Sequence, residues 1–522
     1  MGGGGWRAEG RAKTRIRNSF WVVQLTAGRW SVCCWGSSGG IGVSSGQTWF
    51  ANEGQGCLAV DIQTASGYRW GNSAVLTITD RFFTGCLMLK CCVSPLPCCL
   101  LLWLGCLLAV PVPGLHAVVA AEPQSVARPN IIWILADDFG LPDVGCYGGV
   151  YRTPALDSLA SGGTRFDFCF AAPLCAPSRA MCMFGRYGFR TGVRDNGQGA
   201  AATPQREVCI AKVLKQAGYA TAVAGKWSDL EYLVTAEDGR RWGFDQFMIW
   251  GERWEEGGGR SRYWGPDYNH NGVIISGDKR TFGPDLLQKF AVDFIRQNRE
   301  GPFFLYYPTP LIHYKLQRTP DSSGGESDLH SDNIEYLDKL VGQLVSELES
   351  LQLREKTLII FVGDNGSTKG QHTVHGRRIF GKKGELKEGG CRVPLIVNWP
   401  GTTPAGRVNQ DLVSLTDFFP TLAELAGAPL PEGVSIDGVS LASRFQGRSG
   451  QSREWVYVQL REECYVRDRR WKLTGAGDLF DMREAPWQEI AVAADATDPL
   501  AQQARIRLQT ALDGMAAAAA GQ

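Results

Sequence analysis

The chain has 522 residues, 44% of them hydrophobic and 20% charged, with 54 Lys and Arg against 53 Asp and Glu. That length suffices for two or three domains around a large buried core. Residues 1–121 hold 9 Lys and Arg and 4 Asp and Glu, so the remainder holds 45 against 49, a net of −4 that argues against a nucleic-acid-binding protein.

Residues 1–87 begin Met-Gly-Gly-Gly-Gly, are dense in Gly, Ser, Trp and Arg, and keep no sustained period of 2 or 3.6. They read as a disordered upstream extension, with translation starting at Met88. Lys90 is followed by an uncharged run, Cys91 to Ala121, with an apolar middle at Leu100–Ala109 and small residues at Val118–Ala121. This pattern predicts a secretory signal peptide over 88–121. Pro95, Pro97, Pro111 and Pro113 argue against a stable membrane span there. The expected product is secreted or periplasmic, with a catalytic domain over 122–445 and a small subdomain over 446–522. Seven of the 16 cysteines follow residue 121. Six besides Cys175 are free to pair in an oxidising compartment, and none has a C-x-x-C zinc spacing.

From Pro129 buried-strand runs alternate with amphipathic helices, which predicts α/β with a largely parallel sheet. Asn130–Ala136 is an apolar strand ending in Asp137-Asp138. Thr153-Pro154 and Thr203-Pro204 each open a helix, the second leading to the strand Tyr219–Ala224 and Gly225-Lys226-Trp227. Pro302–Tyr307 is a strand leading to His313. Apolar positions from Ile334 to Leu351 repeat at 3.6 residues, a long helix. Thr357–Gly363 is a strand ending in Asp364-Asn365-Gly366, and Val393–Trp399 is another. From about residue 450 short strands at Trp455–Leu460, Cys464–Val466 and Trp471–Leu473, with a closing helix over Pro499–Met515, predict a small α+β subdomain with an antiparallel sheet. The poly-Ala run 516–520 reads as a frayed end.

Two strands thus end in oxygen-rich pairs, Asp137-Asp138 and Asp364-Asn365. Ligands bind beyond the carboxyl ends of strands in open α/β sheets, and hard oxygen ligands suit Ca²⁺ or Mg²⁺. Taken singly, Asp364-Asn365-Gly366 is also an ordinary turn. Cys175-Ala176-Pro177-Ser178-Arg179, alone, is also a buried cysteine before a proline-initiated helix. In order along the chain stand Pro129–Ile132 with Asp137-Asp138, Cys175–Arg179 with Gly185-Arg186, Gly225-Lys226-Trp227, Gly363–Gly366, and Lys383-Gly384 with Glu388–Pro394. This ordered set, over about residues 129–480, resembles the type I sulfatases.

The resemblance implies an alkaline-phosphatase-like fold and oxidation of Cys175 to formylglycine by a formylglycine-generating enzyme. It implies a metal, usually Ca²⁺, on Asp137, Asp138, Asp364 and Asn365 beside residue 175. Arg179 would neutralise charge there, Lys226 and Lys383 would grip sulfate oxygens, and His313 would protonate the leaving alcohol. The expected activity is sulfate-ester hydrolysis on sulfated carbohydrate. The same superfamily holds phosphodiesterases and phosphonate hydrolases, and an unmodified protein would be a non-catalytic binder of sulfated glycans. Three positions depart from the family pattern: Ser228 where Gly-Lys-Trp-His is common, Phe184 where Thr precedes Gly185-Arg186, and Leu311-Ile312 before His313. His372 and His375 read as loop residues. Trp254, Tyr263, Trp264 and Tyr268 read either as sugar-stacking or as core-covering aromatics.

Overall fold

The computed structural model describes residues 128–227, 230, 233–250, 262–323 and 328–521, and five short strands between residues 11 and 77. Those five strands pair as one antiparallel sheet. The signal peptide read into 88–121 lies outside the described residues, as do most of 1–87, Ser228 and Trp254. Contacts divide the chain into Met1–Ala121 and Glu122–Gln522, and the second unit carries every candidate site residue.

A ten-stranded sheet runs through this unit in the order Val273–Ser276, Asp267–His270, Gln246–Trp250, Ala220–Lys226, Phe303–Thr309, Asn130–Ala136, Thr357–Gly363, Arg392–Asn398, Thr164–Phe170, Arg407–Ser414. The five strands from Gln246–Trp250 to Thr357–Gly363 are mutually parallel. Their sequences are continuous apolar runs because both faces are covered. Ile131, Trp133 and Leu135 enter one core while Ile132, Ile134 and Ala136 enter the other, as strand alternation requires. Arg392–Asn398 runs antiparallel to both Thr357–Gly363 and Thr164–Phe170. The carboxyl end of Thr164–Phe170 and the amino end of Arg392–Asn398 therefore open on the same edge as the carboxyl ends of the parallel strands.

The α/β expectation holds, and so does the antiparallel tail, five strands from Val456 to Val492. Three details differ. The helix expected from Thr203-Pro204 begins at Ile210, after a turn. The closing helix continues through the alanines to Ala520, since alanine is the strongest helix former. All seven described cysteines are free thiols, so none of the pairings left open forms among them. The strand Thr164–Phe170, which delivers the chain to Cys175, had not been anticipated. Its Thr-Arg-Phe-Asp-Phe-Cys-Phe sequence alternates polar and apolar residues outside the buried-run pattern.

Buried charge ties the tail to the sheet. Glu388 is 2% exposed and lies between Arg392 Nη1, at 3.2 Å, and Arg467, whose side chain is fully buried. Burial alone would raise the Glu388 carboxyl, but Arg467 and Arg392 hold it below its usual range. Glu388→Gln leaves two buried guanidinium groups facing a neutral partner, a loss worth about 3–5 kcal/mol. We expect the melting temperature to fall by about 5 °C or more, read by scanning fluorimetry.

Candidate active site

The residues expected to hold the metal, the modified cysteine and the sulfate come to the one edge of the sheet described above. Asp137 and Asp138 follow Asn130–Ala136, Asp364 and Asn365 follow Thr357–Gly363, Lys226 ends Ala220–Lys226, and His313 lies just beyond Phe303–Thr309. The segment bearing His313 is stitched to the first strand by Asp137 N–H donating to Leu311 O at 3.1 Å and Ile312 N–H donating to Asp137 O at 2.8 Å.

Cys175 opens a helix, Cys175–Phe184, in which every residue is buried. Pro177, in the first turn, gives up an N–H that has no helical partner there. The free Ala176 N–H donates instead to Asn196 Oδ1 at 3.1 Å. Phe184 stacks on Trp242 with ring centroids 5.5 Å apart, so its role is packing at the far end of the helix, away from Cys175.

Cys175 Sγ lies 3.2 Å from Lys383 Nζ, 3.5 Å from Asp137 Oδ1 and 3.7 Å from Asp138 Oδ1. Burial and Asp364 push the thiol well above its usual range, against the pull of Lys226. The residue as encoded is thus a neutral thiol, not a thiolate nucleophile. Arg179 donates through Nε at 3.1 Å and Nη2 at 2.7 Å to Asp364 Oδ2, and through Nη1 to Lys226 O at 2.9 Å. Lys226 Nζ stands 3.0 Å from Asp137 Oδ2, and Lys383 pairs with Asp138. Burial would lower both lysines, but the facing carboxylates raise them and keep them charged. Burial pushes Asp137 up, yet the cations Lys226 and Arg179 hold it well below the carboxylate range. At Asp364 burial prevails over Arg179 and raises the carboxyl to about 6.

Asp137, Asp138, Cys175 and His313 each bring a ligand atom within 4.8 Å of the others. Asp138 Oδ2 and Asn365 Oδ1 are buried and accept no hydrogen bond. Asp137 Oδ2 also lacks an aligned hydrogen bond, although Lys226 is near it. Buried oxygens without donors are costly, and oxygens of this kind suit a hard divalent cation. The donor set therefore fits Ca²⁺ or Mg²⁺, with Asp364 joined to it through its Oδ1, which accepts from Asp138 N–H at 3.0 Å.

Backbone geometry explains the glycines. Gly225 has φ 132°, and a Cβ there would stand 2.0 Å from Pro308 O. Gly366 does not serve a turn with positive φ. Its N–H donates to Gly390 O at 3.0 Å, and a Cβ would meet Gly389 O at 1.7 Å. The Asn-Gly pair thus lets the loop of Asp364 touch the loop of Lys383. Asp138 itself has φ 60°, a strained conformation for a non-glycine residue that surroundings must enforce.

Several contributors escaped the sequence reading. Asp143 Oδ2 accepts from Gly140 N–H at 2.8 Å and from the Ser367 hydroxyl, while its Oδ1 meets His330 Nε2 at 2.8 Å. It joins the loop of Asp137 to that of Asp364. Arg262 presses Nη1 on His313 Nδ1 and stacks 4.4 Å above the Trp250 ring. A guanidinium only donates, so His313 Nδ1 accepts and the ring proton sits on Nε2. Nothing in the spacing of these residues marks them. Tyr263 and Tyr268 are at most 1% exposed, which makes them core aromatics, not sugar platforms. His372 precedes a short hairpin, Thr373–Val374 with Arg377–Arg378, and His375 lies in its turn; neither is in the cluster around Cys175.

The Sulfatase family profile matches residues 129–428, and the profile for N-sulphoglucosamine sulphohydrolase, C-terminal, matches residues 375–496. Arylsulfatase D of Homo sapiens is 30% identical over 456 residues, covering 69% of this chain and 75% of the relative. Steryl-sulfatase of Homo sapiens is 32% identical over 442 residues, covering 67% and 75%. A solved structure, "Crystal structure of Ps i-CgsB in complex with k-i-k-neocarrahexaose", superposes with TM-score 0.62 at 26% identity, covering 73% of this chain and 92% of that one.

The orphaned oxygens yield a test that needs no turnover. Ca²⁺ at a hundredfold excess over its dissociation constant should stabilise the fold by about 3 kcal/mol, seen as a rise of several degrees in melting temperature that EDTA reverses. Asp138→Asn should abolish that rise.

Proposed function

The chain belongs to the sulfatase family and is a sulfuric-ester hydrolase; from that premise we propose that it is an exported enzyme acting on sulfated sugars with a formylglycine made from Cys175 and a divalent metal. A formylglycine-generating enzyme would be its maturation partner. The observation that carries the reading is the seat of Cys175, on a buried helix N-terminus within 3.2 Å of Lys383 Nζ and 3.5 Å of Asp137 Oδ1. Cys175 Sγ stands in for the hydroxyls of a hydrated aldehyde. A sugar substrate is supported by the match to the C-terminal part of N-sulphoglucosamine sulphohydrolase and by the neocarrahexaose named for the solved relative. Among the described residues no helix is long and apolar enough to cross a membrane.

Asp137, Asp138, Asp364 and Asn365 would hold the metal, Ca²⁺ or Mg²⁺. When bound, the metal polarises a sulfate oxygen, while the hydrated aldehyde offers one hydroxyl to attack sulfur and a second to help expel sulfate. The remaining work falls to the chain's own side chains. Arg179 orients Asp364 and neutralises it. Lys226 and Lys383, both charged, shift from their carboxylates to grip the sulfate oxygens as negative charge builds on them. His313, fixed by Arg262 as the Nε2–H tautomer, offers that N–H to the leaving alcohol oxygen. Three carboxylates against Arg179, Lys226 and Lys383 make a neutral site; a divalent cation leaves two positive charges, enough to balance a departing sulfate dianion.

Peptide mass spectrometry across residue 175, on protein expressed with a formylglycine-generating enzyme, should find the aldehyde. That protein should hydrolyse 4-nitrophenyl sulfate faster than 4-nitrophenyl phosphate, and Cys175→Ala should abolish both. Lys226→Ala should lower kcat by about 10²–10³-fold. A persistent thiol would favour the unmodified binder of sulfated glycans; faster phosphate turnover would favour the phosphodiesterase reading.

A further inference from the structure

The segment that delivers Lys383 to Cys175 carries far more charge than the site uses. From Lys369 to Lys387 there are six Lys and Arg and one Glu, on a unit whose net charge is negative. Lys383 serves the site, Arg377 pairs with Glu484 at 3.3 Å, and Lys387 pairs with Glu385 at 3.3 Å. Lys369, Arg378 and Lys382 remain, all exposed and none in an ion pair with a described residue.

These three cations lie on or beside the segments that carry Asp364, Lys383 and His313. Lys382 adjoins Lys383. Arg378 lies on the hairpin whose next residue, Ile379, donates its N–H to His372 O at 2.8 Å. Lys369 Nζ sits 5.5 Å above the ring of Tyr314, the residue after His313. Burial lowers the His372 imidazole; Asp143 opposes it, while His330, Arg378 and Lys382 add to it. Among the described residues Tyr314 and Phe380 are the only exposed aromatic side chains. Tyr314 follows His313, and Phe380 precedes Lys383 by three positions.

We propose that Lys369, Arg378 and Lys382, with Tyr314 and Phe380, form a subsite for a polyanionic oligosaccharide that carries further sulfate or carboxylate groups beside the ester being cleaved. The inference rests on the sulfate-ester reading and narrows it. Neutral alcohols such as sterols or simple phenols have nothing to offer three unpaired cations. A multiply charged sugar neutralises them and lays its apolar C–H face on an exposed ring. Clustered like charge at a cleft mouth also raises the local concentration of an anionic substrate, more so at low ionic strength.

The test is fluorescence anisotropy of fluorescein-labelled, fully sulfated maltotetraose on the full chain, with unsulfated maltotetraose as control. The sulfated probe should bind, increasingly weakly as NaCl rises, and the control should not. The variant Lys369→Ser/Arg378→Ser/Lys382→Ser should raise the Kd by about tenfold or more, and the charge reversal Lys369→Glu should do so in part. All three residues are exposed, so the melting temperature should hold. KM and kcat for 4-nitrophenyl sulfate should stay within about twofold of the parent. Undiminished binding by the triple variant, or equal binding of the two probes, would overturn the subsite. Failure of protein with the aldehyde at residue 175 to cleave 4-nitrophenyl sulfate would instead sink the sulfate-ester mechanism, leaving the anisotropy result to judge the subsite alone.

Discussion

Three carboxylates buried together constitute the constraint on which this structure turns. Asp137, Asp138 and Asp364 are at most 2% exposed, and isolated buried charges of one sign are prohibitively expensive. The fold answers with three equally purposeful cations. Arg179 holds Asp364 through two donors on one oxygen, Lys226 stands by Asp137, and Lys383 by Asp138. The match is incomplete by design of the donor set: Asp138 Oδ2 and Asn365 Oδ1 receive nothing from the protein. The same groups that neutralise the acids are those that a tetrahedral anion would recruit, so binding a metal and binding a sulfate are two sides of one charge balance.

Bringing these six charges to one point is the work of the sheet. Parallel strands place their carboxyl ends on a common edge, and the reversed strand Arg392–Asn398 brings the Lys383 loop to that edge from the other direction. Close approach of the loops then needs glycine at residue 366, where no side chain fits. The C-terminal subdomain supplies the outer clamp. Lys472 Nζ donates to Leu386 O at 2.7 Å, Phe380 N–H donates to Pro486 O at 2.9 Å, and Arg467 holds Glu388. The loop carrying Lys383 is thus gripped on one side by the metal-type loop and on the other by the tail. The small subdomain is on this view a support for one catalytic-type lysine and for the cationic rim around it.

On the proposed reading, catalytic demand and substrate recognition would be separated along that one loop. Its half-buried member, Lys383, meets residue 175, while Lys369, Arg378 and Lys382 are exposed. A division of this kind lets rim residues vary with the substrate's charge pattern without touching the chemistry. It also explains why so basic a segment sits on an acidic body: attraction is needed only at the mouth.

Much was legible before any coordinates. Continuous apolar runs such as Asn130–Ala136 and Thr357–Gly363 announced buried parallel strands, because only residues covered on both faces dispense with alternation. The motifs around Asp137, Cys175, Lys226, Asp364 and Lys383 marked residues that the structure gathers at one edge of the sheet, because each motif is a contiguous stretch of sequence. The sequence could not reveal what depends on distances between remote segments. Arg262 on His313, Asp143 between two loops, and Asn196 on the Ala176 N–H are each made by residues far apart in sequence, and none sits in a pattern of its own. Tyr263 and Tyr268 looked equally suited to sugar or core until their burial decided it. Local sequence thus determined which residue types stand at the candidate site; tertiary structure alone decided which neighbours fix their tautomers, charges and reach, since those follow from long-range packing that no local period records.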